Sequence, residues 1–199
     1  MISGIIGTQG SGKTMTACMF CIEHVRAGGK LITNIDINEL VGNPNYTKID
    51  SLKQLVEMDK VNTMIFIDEI ILWGLDCRSS SQKENKQLTM ELIFQCRKHR
   101  VKLFYSAQQF TIIDKRLRDQ TDILFEVTKC IKGVDSRMIP IISNLEIDSS
   151  IECFIKVEML HIAGNISRTF FFRANDYFNA YDTLQIQKTQ YGVKEDKKK

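Results

Sequence analysis

An eight-residue glycine motif near the start of the chain constrains the possible folds more than any other feature. Residues 7–14 read Gly-Thr-Gln-Gly-Ser-Gly-Lys-Thr, which matches the pattern G-x-x-x-x-G-K-[ST]. The motif follows a short apolar run, Ile2–Ile6, and precedes a helical pattern that begins at Lys13. In this strand–loop–helix context the backbone N–H groups of the loop curl around phosphate oxygens, and the helix N-terminus adds partial positive charge. The motif therefore predicts a nucleotide-phosphate site. A chance glycine turn packed between a strand and a helix is the alternative interpretation.

Two side chains of this motif have predicted roles beyond shaping the loop. Lys13 is expected to reach the β- and γ-phosphates and to act in catalysis, and Thr14 is expected to hold Mg²⁺ through its hydroxyl. The residues predicted to contact ATP are Gly7, Gln9, Gly10, Ser11, Gly12, Lys13, Thr14 and Met15.

A second motif places two acids after a run of four hydrophobic residues. Met64–Ile67 is apolar on both faces, as a central parallel strand must be, and is followed directly by Asp68 and Glu69. Ligands of parallel α/β sheets bind at the carboxyl ends of the strands. Asp68 is therefore expected to hold Mg²⁺, and Glu69 to accept a proton from an attacking water. The presence of both acids favours hydrolysis, although an Asp-Glu pair can also mark only the start of a helix.

Further catalytic candidates lie downstream. The predicted strand Val101–Ala107 delivers Gln108 to the same edge of the sheet, where its amide could sense the γ-phosphate and orient water. An arginine from the same or a neighbouring subunit commonly stabilises the transition-state charge. The candidates are Arg97, Arg100, Arg116 and Arg118. A position on a solvated loop or helix face remains the alternative for Gln108 and for each arginine.

The order of apolar patterns predicts an α/β fold with a mostly parallel central sheet flanked by helices. Predicted strands at Ile2–Ile6, Lys30–Ile35, Met64–Ile67, Val101–Ala107 and Ile123–Thr128 alternate with helices at Lys13–Ala27, after the cap Ser51, and at Glu84–His99. Beyond Lys132 the pattern changes to strict alternation, which predicts an antiparallel β-hairpin near the C-terminus, with strands around Cys153–Met159 and Ile166–Arg173. A short helix is expected at Asp176–Tyr181.

Length and charge bound the organisation of the chain. The 199 residues are enough for one domain, expected at 1–185, followed by a basic, disordered tail at 186–199. A motor built from a single such domain must assemble from several copies. Residues 76–119 contain ten Lys and Arg against five Asp and Glu, a net charge of +5, whereas the whole chain carries only +3. The loop after the two acids therefore holds candidate DNA-phosphate contacts at Arg78, Lys83 and Lys86, with ordinary surface as the alternative.

The chain shows no apolar run of the roughly 18–20 residues that a membrane span needs, and its start does not resemble a signal peptide. A cytosolic location follows as an expectation. Cys18 and Cys21 form one C-x-x-C, but no second pair or nearby histidine completes a zinc site, so the six cysteines are expected to be reduced thiols.

Several phrases, in this order along the chain, resemble the FtsK/HerA superfamily, and within it the Zot-like and viral genome-packaging ATPases. They are the glycine motif, Gly29–Ile35, the pair Asp68–Glu69, Cys96–Arg100 before a strand ending in Gln108, Ile113–Asp119, and Tyr177–Thr183. The resemblance implies a RecA-like ATPase that uses ATP and Mg²⁺, assembles as a hexameric or pentameric ring and drives double-stranded DNA through its centre. It further implies that Arg97 precedes the sensor strand, and that Arg116 or Arg118 lies near the next subunit's nucleotide.

In viral relatives such a motor fills a preformed capsid, which implies a capsid vertex protein as a further partner and a host-cytoplasmic or virion-associated location. Two other functions stay open. A Zot-like role in virion assembly or export is one, although the membrane-spanning segment of filamentous-phage Zot proteins is absent. A nucleoside kinase similar to thymidine kinases is the other, but those enzymes carry paired C-x-x-C zinc ligands that this chain lacks. A non-motor ATP switch is a third, weaker interpretation, since the positive segment after Asp76 argues against it.

Overall fold

The computed structural model describes residues 1–58, 60–76, 83–131, 153–164 and 166–181. The strands are β1 (Ile2–Ile6), β2 (Lys30–Thr33), β3 (Tyr46–Lys48), β4 (Thr63–Ile67), β5 (Lys102–Ala107), β6 (Ile123–Ile131), β7 (Cys153–His161) and β8 (Ile166–Arg173). The helices are α1 (Lys13–Arg26), α2 (Leu52–Glu57), α3 (Lys83–Lys98) and α4 (Lys115–Arg118). Single 3₁₀ turns lie at Asn38–Leu40, Ile70–Trp73, Phe110–Ile112 and Ala174–Tyr177.

These strands form one sheet in the order β3-β2-β4-β5-β1-β6-β7-β8. The first six are parallel, whereas β7 pairs antiparallel with β6 and β8 antiparallel with β7. The predicted fold class, a mostly parallel α/β sheet with an antiparallel hairpin near its C-terminal end, is confirmed. Strand β5 lies between β1 and β4. The glycine motif, which follows β1, and the two acids, which follow β4, therefore lie on either side of the end of β5.

Hydrophobic cores cover both faces of the sheet. Met64 and Phe66 of β4 face the core that includes α1, and Ile65 and Ile67 face the core that includes α2 and α3. All four side chains are buried. Because both faces of this central parallel strand are covered, its sequence is a continuous apolar run.

Every second side chain of β7 in the hairpin packs into the core under α1. Cys153, Ile155 and Val157 are buried there, as the alternation predicts, and Phe170 of β8 packs beside them. The Phe20 ring of α1 lies 6.2 Å from the Phe170 ring, measured between centroids. The hairpin therefore forms part of the wall around α1.

Three elements differ from the sequence prediction, one of them the unpredicted four-residue helix α4. Strand β3 was not expected, because its three residues are too few to show an alternating pattern; it pairs with β2 through Tyr46 and Leu31. The expected helix at Asp176–Tyr181 is instead a 3₁₀ turn at Ala174–Tyr177 followed by an irregular turn. Ala180 and Tyr181 pack against the α1 core from non-helical backbone. The predicted tail at 186–199 and the domain limit at 185 lie outside the described residues.

Candidate nucleotide site

The glycine motif forms the loop between β1 and α1. Gly10 and Gly12 have φ of 74° and 98°, in the left-handed region that favours glycine. Gly7 is required for a different reason, because a Cβ at this position would lie 2.6 Å from the backbone oxygen of Val127 in β6. The loop is therefore pressed against the neighbouring strand, and its shape depends on the lack of side chains.

Lys13, the first residue of α1, is buried at this loop. Its ammonium donates a hydrogen bond to the backbone oxygen of Thr8 at 3.1 Å, and the residue as a whole is only 6% exposed. Burial lowers the pKa of Lys13, and the carboxylates of Glu69 and Asp68 oppose that shift. Among the described residues, the buried Ser11 Oγ finds no hydrogen-bond partner. An orphaned hydroxyl beside a buried ammonium is a suitable setting for a phosphate oxygen.

The side chain of Thr14, one residue further, meets the predicted metal-binding acid. The Thr14 hydroxyl lies 3.1 and 3.2 Å from the two carboxylate oxygens of Asp68, to which it donates. Asp68 is 3% exposed, and one of its oxygens also accepts a 2.6 Å hydrogen bond from the Ser106 hydroxyl of β5. A hydroxyl and a carboxylate form the hard oxygen donor set that suits Mg²⁺.

The backbone of Asp68 is held by Asn34, which follows the end of β2. The Asn34 side-chain amide donates to the Asp68 backbone oxygen at 3.0 Å and accepts from the Asp68 backbone N–H at 2.8 Å. Because Asn34 is also buried, this double hydrogen bond fixes where the carboxylate of Asp68 can lie.

Glu69 has an unusual backbone conformation at the end of β4. Its φ of 47° and ψ of 61° are left-handed, which is uncommon outside glycine and which clusters at functional sites. The Glu69 N–H donates to Ser106 Oγ at 2.8 Å, which stabilises this turn. Burial raises the pKa of the Glu69 carboxyl; Asp68 raises it further, and Lys13 opposes the rise. The turn aims Glu69 differently from Asp68, while both acids stay near Lys13.

Two contributors to this arrangement were not found from the sequence: Asn34 and Ser106. Asn34 follows a strand that ends at the same edge as the motif, which is a usable signal that the sequence reasoning did not use. Ser106 is a buried polar residue inside an apolar strand, a weaker signal of the same kind. Tyr181 packs against the α1 core, which no sequence pattern indicated, and burial raises its pKa to about 12.

Gln108 lies one residue beyond β5. The register pairs Ile6 with Ala107, so Gln108 and Gly7 leave the sheet at the same level. The Gln108 side chain is exposed. The structure thus brings Gln108 to the edge of the sheet that carries the motif and both acids.

The arginine candidates are placed differently. Arg116 forms a two-point ion pair with Asp114, with Nε to Oδ1 at 2.9 Å and Nη2 to Oδ2 at 2.5 Å, and this pairing raises the pKa of Arg116. Arg118 donates from Nη1 to the Thr111 backbone oxygen at 2.9 Å. Both residues therefore have partners within the chain.

The remaining predicted contacts lie between β4 and β5 in the chain. Arg78 lies outside the described residues. The backbone of Lys83, Lys86 and Arg97 belongs to α3, but their side chains lie outside the described part. Arg100 follows α3 at the left-handed φ of 56°.

The described cysteines, Cys18, Cys21, Cys96, Cys130 and Cys153, are free thiols. In the same part of the chain, no three His, Cys, Asp or Glu side chains gather as a metal site. None of the described helices combines the length and the apolar character that crossing a membrane requires.

The fold and the loop define a P-loop ATPase domain. The model of one family, described as "ATPase family associated with various cellular activities (AAA)", matches residues 4–129. The chain belongs to this family, whose members bind nucleotide. No curated protein matches the sequence significantly.

Solved structures with the same fold include proteins of the type suggested by the sequence phrases. The genome packaging NTPase B204 from Sulfolobus turreted icosahedral virus 2, in complex with ATP-gammaS, is 12% identical with a TM-score of 0.56, over 84% of this chain and 95% of that one. The N-terminal domain of zonular occludens toxin from Neisseria meningitidis is 15% identical with a TM-score of 0.55, over 91% of this chain and 98% of that one.

A third structure is the flagellar accessory protein FlaH from Methanocaldococcus jannaschii, with 11% identity and a TM-score of 0.55, over 86% of this chain and 84% of that one. At these identities the likeness concerns the fold. The P-loop ATPase fold and its likeness to a genome packaging NTPase and a Zot N-terminal domain match the resemblance that the sequence phrases suggested.

Proposed function

We propose that this protein is an ATP-hydrolysing motor that translocates double-stranded DNA and packages a viral genome into a preformed capsid. The observation that carries the hydrolytic part is the convergence of Lys13, Thr14, Asp68 and Glu69 from two separate strand ends. The DNA part is supported by the positive charge of residues 76–119 and by the likeness of the fold to a genome packaging NTPase.

The geometry supports a direct hydrolysis mechanism. Lys13 binds the β- and γ-phosphates of ATP, while loop N–H groups and Ser11 hold their oxygens. Glu69 accepts a proton from a water whose oxygen bonds to the γ-phosphorus, and the bond to the β–γ bridging oxygen breaks to leave ADP and phosphate. Gln108 orients that water. Thr14 and Asp68 would hold Mg²⁺, which neutralises charge on the β- and γ-phosphate oxygens when bound.

The environment of Glu69 suits a base. Its raised pKa makes it a better proton acceptor than an exposed glutamate, while the nearby Lys13 favours its ionised form at neutral pH. The Ser106 contact to the Glu69 N–H couples the position of this base to that of Asp68.

A physical link joins the acids to the positive segment. The 3₁₀ turn Ile70–Trp73 follows Glu69 directly and leads to Leu75, whose backbone oxygen accepts from the Asp114 N–H at 2.9 Å. Asp76 forms an isolated bridge with Ile113 beside it. A change at Glu69 could thus reach both the loop that follows Asp76 and the arginines of α4.

Partners and location follow as parts of the same proposal. The chain assembles as a hexameric or pentameric ring, in which Arg97, Arg116 or Arg118 faces a neighbour's nucleotide, and Arg78, Lys83 and Lys86 contact DNA phosphates. Arg116 would have to exchange its ion pair with Asp114 for that contact. The ring acts at a capsid vertex protein, in the host cytoplasm or on the virion.

The first test measures ATP hydrolysis with and without long double-stranded DNA, at two salt concentrations. We expect DNA to stimulate turnover, and the stimulation to fall at the higher salt because phosphate contacts release counterions. Hydrolysis that is indifferent to DNA but stimulated by a nucleoside would contradict the motor and favour the kinase.

Two variants test the site in the same assay. Glu69→Gln should bind ATP but lose about 100-fold or more in kcat, the range typical of a removed general base. Lys13→Ala should lose hydrolysis while its circular dichroism stays native. The matched control is Glu126→Gln, which changes an exposed carboxylate of β6 and should keep wild-type turnover. Wild-type turnover in Glu69→Gln would remove Glu69 as the base.

A Zot-like role in virion assembly or export is the second candidate. It is supported by the match to nearly the whole N-terminal domain of zonular occludens toxin. Hydrolysis that neither double-stranded DNA nor a nucleoside stimulates would favour this role over packaging.

A further inference from the structure

We propose that Lys129 is a further nucleotide-binding residue, whose ammonium contacts the α-phosphate of the bound nucleotide. This inference rests on the proposed function, because it adds a cation to the same site. Lys129 lies near the end of β6 and belongs to none of the motifs described above.

Strand β6 continues past the edge of the sheet at which the glycine motif begins. The register pairs Ile6, the last residue of β1, with Glu126, so residues 127–131 of β6 extend beyond that level. Strand β7 accompanies them, with Ile155 directly opposite Lys129. The two strands therefore extend past the start of the loop.

Two close approaches show that the loop lies directly against these strands. A Cβ at Gly7 would lie 2.6 Å from the Val127 backbone oxygen, and a Cβ at Gly12 would lie 2.5 Å from Ile155 Cδ1. Lys129 is two residues beyond Val127 on β6 and pairs with Ile155 on β7. It therefore neighbours both of the residues that contact the two ends of the loop.

The side chain of Lys129 lies on the face of the hairpin that carries the loop. Side chains alternate along a strand, so Lys129 shares its face with Phe125 and Val127, which are buried in the core under α1. Glu126 and Thr128, which belong to the other face, are exposed. Lys129 itself is half-buried.

The ammonium of Lys129 forms neither an ion pair nor a hydrogen bond with another residue in the described part of the chain. By contrast, Lys156 on the opposite face of the hairpin is ion-paired with Glu158. The charge of Lys129 acts on the loop side, because it opposes the rise in pKa that burial causes at Cys153. A phosphate oxygen would give this half-buried ammonium a charge-assisted hydrogen bond.

The order of the strands indicates which phosphate Lys129 would meet. In the proposed mechanism the γ-phosphate faces Glu69, which follows β4, and the loop after β1 holds the β-phosphate. Strands β4 and β6 lie on opposite sides of β1 in the sheet. A nucleotide bound with its γ-phosphate toward Glu69 therefore directs its α-phosphate toward Lys129.

This placement predicts how affinity depends on the number of phosphates. Lys129→Met keeps an apolar stem but removes the charge, and we expect it to raise the Kd of ATP about tenfold, as for a lost hydrogen bond to a charged group. ADP and AMP should weaken by the same factor, because all three nucleotides carry the α-phosphate. Adenosine, which carries no phosphate, should bind unchanged.

The experiment measures the four dissociation constants by competition with a fluorescent ATP analogue, whose own affinity is first measured for each variant. It uses the full chain in the Glu69→Gln background, where hydrolysis does not interfere, and omits DNA so that a DNA contact cannot contribute. Lys156→Met is the matched control, since it removes a lysine from the opposite face of the same hairpin, and it should leave all four constants unchanged. Urea unfolding checks that both variants remain folded.

The outcomes separate this inference from the proposed function. An unchanged Kd for ATP in Lys129→Met overturns the inference. A loss that is absent for AMP, or one that is equal for adenosine, also overturns it, because the contact would then involve another phosphate or the nucleoside. An equal loss in Lys156→Met would show a general effect of charge and overturn it as well. Absence of ATP binding in the chain with native Lys129 would overturn the proposed function itself.

Discussion

Glu69 has a left-handed backbone conformation and a raised pKa. The raised pKa should be visible in the pH dependence of turnover. A general base works only when ionised, so hydrolysis falls as the pH falls through its pKa. Since burial raises the pKa of Glu69, kcat/KM should decline at a higher pH than the ordinary glutamate value of about 4.3 implies.

The measurement is a pH profile of kcat/KM, which reports groups of the free enzyme. The residual turnover of Glu69→Gln should lack this acid limb, whereas Glu126→Gln should keep it. An acid limb that survives in Glu69→Gln would assign the titration to another group.

Asn34 supports the site by forming hydrogen bonds with the buried backbone N–H and oxygen of Asp68. Removing its amide should therefore lower the stability of the protein. Asn34→Ala leaves the Asp68 N–H and backbone oxygen without their side-chain partners in a buried position. We expect the free energy of unfolding to fall by about 1–3 kcal/mol, the cost of an unsatisfied buried polar group. Urea unfolding measures it.

Asn38→Ala is the matched control for Asn34→Ala, because the Asn38 amide also bonds to a backbone oxygen but at an exposed position. Its cost should stay below about 1 kcal/mol. Equal losses for the two variants would contradict the special role of Asn34.

The contact between the glycine loop and β6 predicts that alanine substitutions at two glycines of the motif lower stability by different amounts. Gly7→Ala forces a Cβ against the backbone oxygen of Val127, which cannot move without shifting β6. Gly10→Ala also meets a positive φ, 74° against 155° at Gly7, but no atom lies within 4 Å of its added Cβ. Gly10→Ala should therefore cost only the left-handed penalty of about 1–2 kcal/mol.

Gly7→Ala should cost more than Gly10→Ala by about 1–3 kcal/mol, the usual cost of overpacking. The comparison of urea midpoints at equal m-values tests it. A Gly7→Ala variant as stable as Gly10→Ala would show that the loop relaxes away from β6.

The whole molecule has two cores on one sheet, and this arrangement predicts a single cooperative unfolding transition. Trp73, the one tryptophan of the sequence, is 2% exposed in the core shared with α2 and α3, while α1 covers the opposite face. Strand β4 contributes side chains to both cores. Unfolding of one core would therefore expose apolar residues of the other core to water.

Trp73 fluorescence and far-ultraviolet circular dichroism should therefore share one urea midpoint. Amide exchange in the centre of α1 should require the same free energy as global unfolding. Separate midpoints would show that the two faces unfold independently.

Local patterns determined much of this protein. The motif at residues 7–14, the run Met64–Ile67 with its two acids, and the alternation around Cys153–Met159 identified a P-loop domain with a mostly parallel sheet and a terminal hairpin. These features could be predicted because phosphate loops, buried parallel strands and half-buried hairpins each depend on residues that are close in sequence. The three-residue strand β3 had no such pattern, and only its pairing with β2 defines it.

Tertiary structure decided how the site is assembled. The insertion of β5 between β1 and β4 brings Ser106 to Asp68, and the end of β2 brings Asn34 to the same acid. Tyr181 joins the core under α1 only because the last described turn packs against that helix. Each contact joins residues tens of positions apart or more, and such pairings depend on the packing of the whole sheet. The sequence therefore identified the candidate phosphate and metal ligands, whereas the partners that orient them appeared only in the folded chain.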